Sequence, residues 1–402
     1  MQTNRWLLPE GVQEVLPPES WRLEAARREL LDLYWRWGYD LIRPPLIEYL
    51  DSLLIGAEHD LDLLTFKLID QLSGRTLGVR SDMTMQAARI DAHRLARNGP
   101  ARYCYIGSIL RTHPEQSGGS RSPLQIGAEM FGVADIQCDV EIISLMLETL
   151  ALMGIAEVTL DLGHVAIYRS LVKHAGIEPQ LEPLLFDIVQ RKSLPDLEAL
   201  CREQQLDKQR RRWFAAVIEL NGPAHILEDA KARLAGIDPA IDAALGSLDS
   251  MLAQLQLHYP TLEVGLDLGE LRGYRYKTGL LYTAFAPGAG RELARGGRYD
   301  DLGAEFGRGR PATGFSADLN LLANIGSYAQ QSPEPAIYAP ADSDPALLAA
   351  IRRLRDAGRR VIVATPDGRR TPQELGCGDV LEQHGGGWQL RSLTRHDSGD
   401  NK

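Results

Sequence analysis

The spacing of apolar residues along the chain predicts helices that pack one face against a sheet. In residues 20–38 apolar side chains recur every three or four positions, as in an amphipathic helix: Leu23, Ala26, Leu30, Tyr34 and Trp37. Gly38 ends this run, as glycine commonly does after a helix. A second apolar run, 139–153, predicts another helix that stops at Gly154, and the strand-like stretch VTLDLG follows it.

The remaining pattern predicts strands on both sides of a helical region. Residues 39–48 (YDLIRPPLIE) are apolar but contain Pro44 and Pro45, which favours an edge or interface strand. Mixed polar and apolar stretches from 166 to 258 indicate a helical insertion, and glycine-rich strands return at 263–318. This order predicts an α+β fold built on an antiparallel sheet.

A proline-containing linker, QSPEP (331–335), separates a small terminal unit from the rest of the chain. Beyond it, AIYAP, ALLAAIRRLRDAG and RRVIVAT predict a strand, a helix and a second strand, and thus a small α/β domain. The predicted divisions are 1–165 and 259–330 for the two parts of the main domain, 166–258 for the insertion and 336–402 for the terminal domain.

Composition narrows the possible functions. The net charge of −10 lowers the expectation of a nucleic-acid partner, because phosphate binding favours a basic face. No CxxC pair occurs among the four cysteines and no Walker loop is present, so neither a metal site, a cofactor nor P-loop chemistry is expected. No stretch reaches the roughly 18 apolar residues of a membrane span, and the N-terminus lacks a signal peptide. We expect a cytoplasmic protein.

Two segments combine charges with strand-like surroundings. In GVRSDMT (78–84), Arg80 and Asp82 are two apart and share a face if the segment is extended, where the acid could hold an ammonium group. A solvated charge pair is the alternative. In residues 104–132 two predicted strands flank a Ser/Gly-rich loop. Arg111 lies on the outgoing strand, and Gln125 and Glu129 lie four apart on the returning one. Such a set suits a small zwitterion, although a plain hairpin also fits.

In LRGYRYKTG (271–279), alternation predicts a strand that presents Arg272, Tyr274 and Tyr276 on one face. An exposed charged and aromatic face is the alternative.

In ARGGRYDDL (294–302), two glycines would let the backbone approach a ligand, and Arg298 could offer a fork to a carboxylate or phosphate. The alternative is a glycine turn beside a solvated arginine.

Taken in order, these segments resemble the catalytic domain of class II histidyl-tRNA synthetases over roughly residues 8–325. The segment IRPPLIE resembles the dimer-forming first motif, with Pro45 at the motif proline. The stretch from ILRTH to QIGAEMFG resembles the second motif, in which Arg111 matches the arginine that grips ATP and the activated carboxylate. TGFSADLNLL resembles the third motif, and VRSDMT, ELRGYRY and RGGRYDDL resemble histidine-family segments. The resemblance implies a class II antiparallel sheet flanked by helices.

The departures from the family pattern fall on the ATP side of the site. His113 stands where the second motif has a glutamate that fixes ATP, and Leu321 stands where the third motif has an arginine that stacks on ATP. Leucine offers neither charge nor donors. Lys277 replaces an expected tyrosine, and the terminal domain is shorter than an anticodon-binding domain. We therefore expect neither ATP activation nor tRNA reading.

The amino-acid pocket implied by the resemblance is largely kept: Asp82, Arg111, Gln125, Glu129, Arg272 and Tyr276. Such a chain resembles the regulatory subunits of ATP phosphoribosyltransferase, which imply histidine as effector, a short-form catalytic subunit as partner and a hetero-octamer. An active histidyl-tRNA synthetase and a synthetase-like paralog with another task are the alternatives. The family also implies a homodimer through the segment around Pro45. We expect Asp82 to bind the α-ammonium group of histidine, Arg111 its carboxylate, and Glu129 with Gln125 to face the imidazole.

Overall fold

The computed structural model describes residues 6–55, 59–114, 119–274, 276–329, 335–365 and 370–393. In chain order the helices are α1 (Glu19–Arg36), α2 (Leu50–Leu53), α3 (His59–Leu64), α4 (Thr84–Arg89), α5 (Ile136–Leu152), α6 (Val165–Ala175), α7 (Glu182–Gln190), α8 (Leu194–Glu203), α9 (Lys208–Glu219), α10 (Ile226–Leu234), α11 (Pro239–His258), α12 (Leu302–Glu305), α13 (Leu319–Ile325) and α14 (Pro345–Asp356). A π-helical segment, Ile90–Leu95, continues α4.

The strands are β1 (Asp40–Leu41), β2 (Ile47–Tyr49), β3 (Lys67–Ile69), β4 (Thr76–Val79), β5 (Ala101–Ser108), β6 (Leu124–Phe131), β7 (Thr159–His164), β8 (Asn221–Pro223), β9 (Glu263–Asp267), β10 (Leu280–Phe285), β11 (Ala294–Arg298), β12 (Ala312–Asp318), β13 (Ala336–Ala339), β14 (Val361–Val363), β15 (Cys377–His384) and β16 (Gly387–Ser392). The chain divides into two compact units, 1–328 and 329–402.

Nine of the described strands form the main sheet of the first unit, in the order β1-β5-β6-β12-β11-β10-β7-β9-β8. Neighbouring strands are antiparallel except in the pairs β1·β5 and β7·β9, which confirms the predicted antiparallel α+β fold. The predicted strand at 39–48 is split by its prolines. Strand β1, before them, is an edge strand of the main sheet, and β2, after them, belongs to a separate sheet of order β2-β4-β3.

Two long helices close the core on this sheet. Helix α1 buries the predicted stripe that includes Leu23, Ala26 and Leu30 and contacts α5 and α13. Helix α5 begins after Asp135, whose side chain accepts a hydrogen bond from the Gln137 N–H at 2.8 Å. Such a cap stabilises a helix by about 1 kcal/mol. Helix α5 then contacts β6, β11 and β12, and so fixes the strands that carry the site.

The region between β7 and β9 is helical from α6 to α11, except that the short strand β8 joins the main sheet. The second unit has a sheet of order β14-β13-β15-β16 and helix α14, with a core that includes Ile337, Leu347 and Ile351. The predicted strand–helix–strand pattern is confirmed there, and the hairpin β15–β16 is an addition to it.

Candidate functional site

A cavity of about 310 Å³ in the first unit collects four of the six predicted site residues. Asp82, Arg111, Arg272 and Tyr276 line it, together with the start of α4, the end of α7 and Arg295 of β11. A smaller cavity of about 30 Å³ adjoins it, because Asp82 and Tyr276 line both, and Glu129 lines the smaller one. An acid, a base and an aromatic ring therefore border two adjoining cavities, of which the larger has the size that a small ligand occupies.

Glu129 lies on β6 beneath this space and is 1% exposed. Its carboxylate accepts hydrogen bonds from the Tyr105 hydroxyl at 2.8 Å and from the Tyr299 hydroxyl. A side chain on Gly314, its partner residue on β12, would collide with this carboxylate, so glycine is needed there for the close approach. Burial raises the pKa of Glu129 to about 8, although both tyrosine hydrogen bonds oppose the shift.

Asp82 occupies the loop between β4 and α4. Its Oδ1 atom accepts a hydrogen bond from the Thr84 N–H at 2.6 Å, which holds the carboxylate at the start of the helix and toward both cavities. The extended conformation predicted for residues 78–84 ends at Val79. Arg80 is instead buried, and it donates to the carbonyls of Ser108 at 2.9 Å and Pro44 at 2.6 Å. Asp82 therefore faces the cavity, while Arg80 stabilises the backbone around it through these hydrogen bonds.

Arg111 and Gln125 lie at the passage to a neighbouring cavity. Arg111 follows the end of β5 rather than lying within the strand, and its Nε donates to the Ser81 carbonyl at 3.3 Å. The side-chain oxygen of Gln125 accepts from the Met83 N–H at 3.0 Å. Gln125 lines the neighbouring cavity and not the 310 Å³ one. As predicted from their spacing, Gln125 and Glu129 lie on one face of β6.

Arg272 belongs to a chain of four alternating charges. It pairs with Glu270 at 2.8 Å and with Glu292, and Glu292 also pairs with Arg295 at 2.9 Å. Burial alone would raise the pKa of Glu270, but the hydrogen bonds from Arg272 outweigh it and the pKa is lowered. The guanidinium of Arg272 is thereby held at the cavity wall.

The prediction that residues 271–279 form a strand is wrong. The chain turns here, with Gly273 at φ +74° and backbone hydrogen bonds from Tyr274 to Leu271 and from Lys277 to Gly273. Tyr274 packs against Phe186 and Tyr168 in the core, away from Arg272 and Tyr276 at the cavity. A positive φ in the middle of the segment breaks the alternation on which the prediction depended.

Both interpretations of Arg298 are also wrong. It is 8% exposed at the end of β11 and is neither solvated nor free for a ligand. Its guanidinium pairs with Asp139 of α5 at 2.6 Å and with Asp300 at 3.2 Å. Arg298 therefore joins the helix to the sheet.

The neighbouring cavity, of about 100 Å³, holds the position where the resemblance places an ATP-binding arginine. Leu321 lines it, one turn into α13, whose first turn is capped by Asp318 through the Asn320 N–H at 3.0 Å. A larger space of about 520 Å³ follows it and is also bordered by Leu321. His113 is exposed, and its Nδ1 lies 3.1 Å from the Pro114 carbonyl. Leu321 has no donor with which to clamp a phosphate.

Several cavity residues were missed by the sequence-based prediction. Phe186 and Gln190 come from α7 of the helical region, and Thr84 and Arg295 come from segments that were singled out for other residues. Lys277 was noted only as a departure, yet it lines both cavities. Arg295 had a local signal, since it directly precedes the glycine pair; α7 had none, because only folding brings it here. Among the described helices, none is both long and apolar enough to cross a membrane.

The antiparallel sheet and its cavity are those of a protein of the class II histidyl-tRNA synthetase type. The comparisons with known proteins agree. A family model described as Histidyl-tRNA synthetase matches residues 11–322, and one described as ATP phosphoribosyltransferase subunit HisZ C-terminal domain matches residues 334–391. A crystal structure titled as an ATP phosphoribosyltransferase regulatory subunit/histidyl-tRNA synthetase from Bacillus halodurans superposes with a TM-score of 0.82 at 24% identity, covering 94% of this chain and 98% of that one. Histidyl-tRNA synthetase from Nostoc sp. PCC 7120 gives 0.75 at 17% identity, covering 94% and 91%.

Relatives with higher sequence identity show which family within this class the chain belongs to. The ATP phosphoribosyltransferase regulatory subunit of Thioalkalivibrio sulfidiphilus is 50% identical over 379 residues, covering 94% of this chain and 96% of its own. The protein of the same name from Methylococcus capsulatus is 50% identical over 398 residues, covering 98% of each. The chain belongs to the family of ATP phosphoribosyltransferase regulatory subunits.

Proposed function

We propose that the chain is a non-catalytic regulatory subunit of ATP phosphoribosyltransferase, required in the cytoplasm for the first step of histidine biosynthesis and for its feedback inhibition by histidine. The observation that carries this proposal is the contrast between two adjoining cavities. One is lined by Asp82, Arg111 and Arg272, and the other has Leu321 where ATP would be clamped. Such a site can hold an amino acid and cannot activate it.

Histidine fits the charges of the larger cavity. Asp82 is placed to take the α-ammonium group, and Arg111 or Arg272 to take the carboxylate through a charged hydrogen bond. The imidazole extends toward Glu129 and Tyr276, which border the small cavity. Gln125 lines the neighbouring cavity, where its side chain accepts a hydrogen bond from the Met83 N–H, next to Asp82 in the chain. A ligand without a ring donor would leave the buried Glu129 with only its hydrogen bonds from Tyr105 and Tyr299 and none from the ligand, which selects for histidine.

The proposed assembly is a hetero-octamer with the short-form catalytic subunit, built on a homodimer of this chain. The small sheet of β2, β3 and β4 follows Pro45 and exposes apolar side chains that include Leu46, Ile47 and Ile69, at 51%, 46% and 61% exposure. Exposed apolar residues beside an edge strand suit a protein interface. Ile47→Glu is expected to give a monomer in sedimentation velocity at micromolar concentration, and an already monomeric native chain would contradict this interface.

Feedback requires that histidine bind more tightly to the inhibited state of the complex than to the active one. By reciprocity, the catalytic subunit must then change the affinity of this chain for histidine. The proposal is tested by mixing the chain with a short-form catalytic subunit and measuring phosphoribosyl transfer to ATP. Turnover that depends on adding this chain is expected. Transfer that is unaffected by it would refute the regulatory role.

A further inference from the structure

Lys277 is a buried lysine at the boundary between the two cavities of the proposed histidine site. It is 7% exposed and lines both of them. Its ammonium donates a hydrogen bond to the Gly296 carbonyl at 2.9 Å, the one side-chain hydrogen bond it makes with the residues that the structure describes. Because an ammonium group has three N–H donors, two remain for a ligand.

Lys277 and Glu129 lie over neighbouring glycines of the sheet. Gly297 of β11 and Gly314 of β12 are paired across the two strands. A Cβ on Gly314 would collide with the Glu129 carboxylate, and a Cβ on Gly297 would lie 3.3 Å from Cδ of Lys277. Since the Cβ positions of paired residues are about 5 Å apart, the amine and the acid border the same small space above these two glycines.

We propose that Lys277 determines which protonation state of the ligand is accepted, by donating a hydrogen bond to a bare ring nitrogen of a neutral imidazole. This inference rests on the proposed histidine site. A neutral imidazole has one N–H donor and one acceptor nitrogen. The N–H then faces Glu129 and the acceptor faces Lys277. An imidazolium has two N–H groups and would turn one of them toward the ammonium, where two cations repel each other.

The charges around Lys277 strengthen this selection as the pH falls. Four charged side chains act on its ammonium group: Glu270, Arg272, Glu292 and Arg295. The other titratable groups that line the same two cavities are Asp82, Glu129, Tyr276 and Tyr299. Burial lowers the pKa of Lys277 to about 8 and raises that of Glu129 to about 8. As the pH falls through about 8, Glu129 and Lys277 each take up a proton. The site becomes more positive and rejects an imidazolium more strongly.

Isothermal titration of histidine into the complex of this chain with its catalytic subunit, at pH 7.5 and pH 5.5, tests the inference. With a ring pKa near 6.5, the neutral fraction of histidine falls about tenfold over this range, so the affinity is expected to fall about tenfold. The analogue 1,2,4-triazole-3-alanine has a far less basic ring that stays neutral. Its affinity is expected to change by less than about twofold, since it needs no deprotonation.

Variants test whether the pH dependence of the histidine affinity comes from Lys277. Lys277→Met removes donor and charge, and we expect about tenfold weaker binding at pH 7.5, the effect of about 1.4 kcal/mol, together with loss of the pH dependence. Lys277→Gln keeps a donor without the charge, and it is expected to regain part of the affinity at pH 7.5 but not the pH dependence. Lys173→Met, at an exposed position of α6, is the matched control and should behave as the native chain does.

Two results would overturn the inference: native affinity that rises on acidification, or a folded Lys277→Met variant with unchanged affinity and pH profile. Near-UV circular dichroism checks the fold of each variant. A native complex that binds no histidine at either pH is a different outcome, because it refutes the proposed histidine site itself and the inference with it.

Discussion

The two cavities that meet at Arg111 and Arg295 share strands of the same sheet but differ in the side chains that border them. The 310 Å³ cavity is lined by an acid, Asp82, and three arginines, and Glu129 lines the small cavity beside it. The 100 Å³ cavity has Leu321 at the position that the family resemblance assigns to ATP. The proposed function assigns recognition of the amino acid to the first cavity and the loss of its activation to the second.

The largest expected difference between the two cavities is in adenylation. Each donor that stabilises charge in a transition state is typically worth about 10²–10³ in rate. Leu321 lacks the donors of the arginine expected there, and His113 lacks the carboxylate of the expected glutamate. Histidine-dependent exchange of pyrophosphate into ATP should therefore be at least about 10²-fold slower than that of a histidyl-tRNA synthetase assayed in parallel. Exchange at synthetase-like rates would show that the second cavity still clamps ATP.

A change in the charged wall should weaken histidine binding strongly. Asp82→Asn keeps a side chain that can cap Thr84 but removes the charge proposed to hold the α-ammonium group. Charged hydrogen bonds are worth about 1.5–3 kcal/mol, so the Kd for histidine should rise about tenfold or more in calorimetry. Asp249→Asn, on the exposed surface of α11, serves as control. Equal affinities for the two variants would remove Asp82 from the site.

Glu129 also makes the stability of the fold depend on pH. Its pKa is about 8 in the folded chain against an ordinary value of 4.5, so the unfolded chain releases this proton first and the stability of the native chain falls as the pH rises from 4.5 to 8. Glu129→Gln has no such proton. Between pH 5.5 and pH 8, the free energy of unfolding of Glu129→Gln, minus that of the native chain, should rise by up to about 3 kcal/mol in urea unfolding. Glu178→Gln, at an exposed position, should show no trend, and the same flat result for Glu129→Gln would contradict the raised pKa.

The smallest effect is expected from a change at Leu321 in the second cavity. Leu321→Ala shortens a side chain of the second cavity, which the proposed ligand does not enter, so the Kd for histidine should change by less than about twofold, or roughly 0.4 kcal/mol. The comparison is sharpest when this variant and Asp82→Asn are titrated side by side. A tenfold loss of affinity in Leu321→Ala would mean that the ligand spans both cavities.

Much of the sheet could be predicted from sequence because its information is local. Gln125 and Glu129 lie four apart on a strand, so their shared face follows from the alternation of side chains. The stripe of α1 and its end before Gly38 follow from helical periodicity in the same way. Each of these features depends only on residues close together in the chain.

The rest of the site could not be predicted because it depends on contacts between residues that are far apart in the sequence. Arg272, Tyr274 and Tyr276 alternate as a strand would, and only the turn at Gly273 shows that Tyr274 enters the core. Arg298 carries the sequence signs of a ligand-binding arginine, but the folded chain brings Asp139 to it from α5. A partner that is far away in the sequence cannot be read from the residues on either side.

Histidine inhibition of the reconstituted complex, with native chain or with Glu129→Ala, tests the central claim most directly. The native complex should lose phosphoribosyl transfer as histidine is added, and the variant should need about tenfold or more histidine for half inhibition, the effect of about 1.4 kcal/mol. Glu129→Gln, which retains an acceptor for Tyr105 and Tyr299, separates this effect from any loss of folding. Unchanged inhibition in correctly folded Glu129→Ala would contradict the account and place the regulatory site elsewhere.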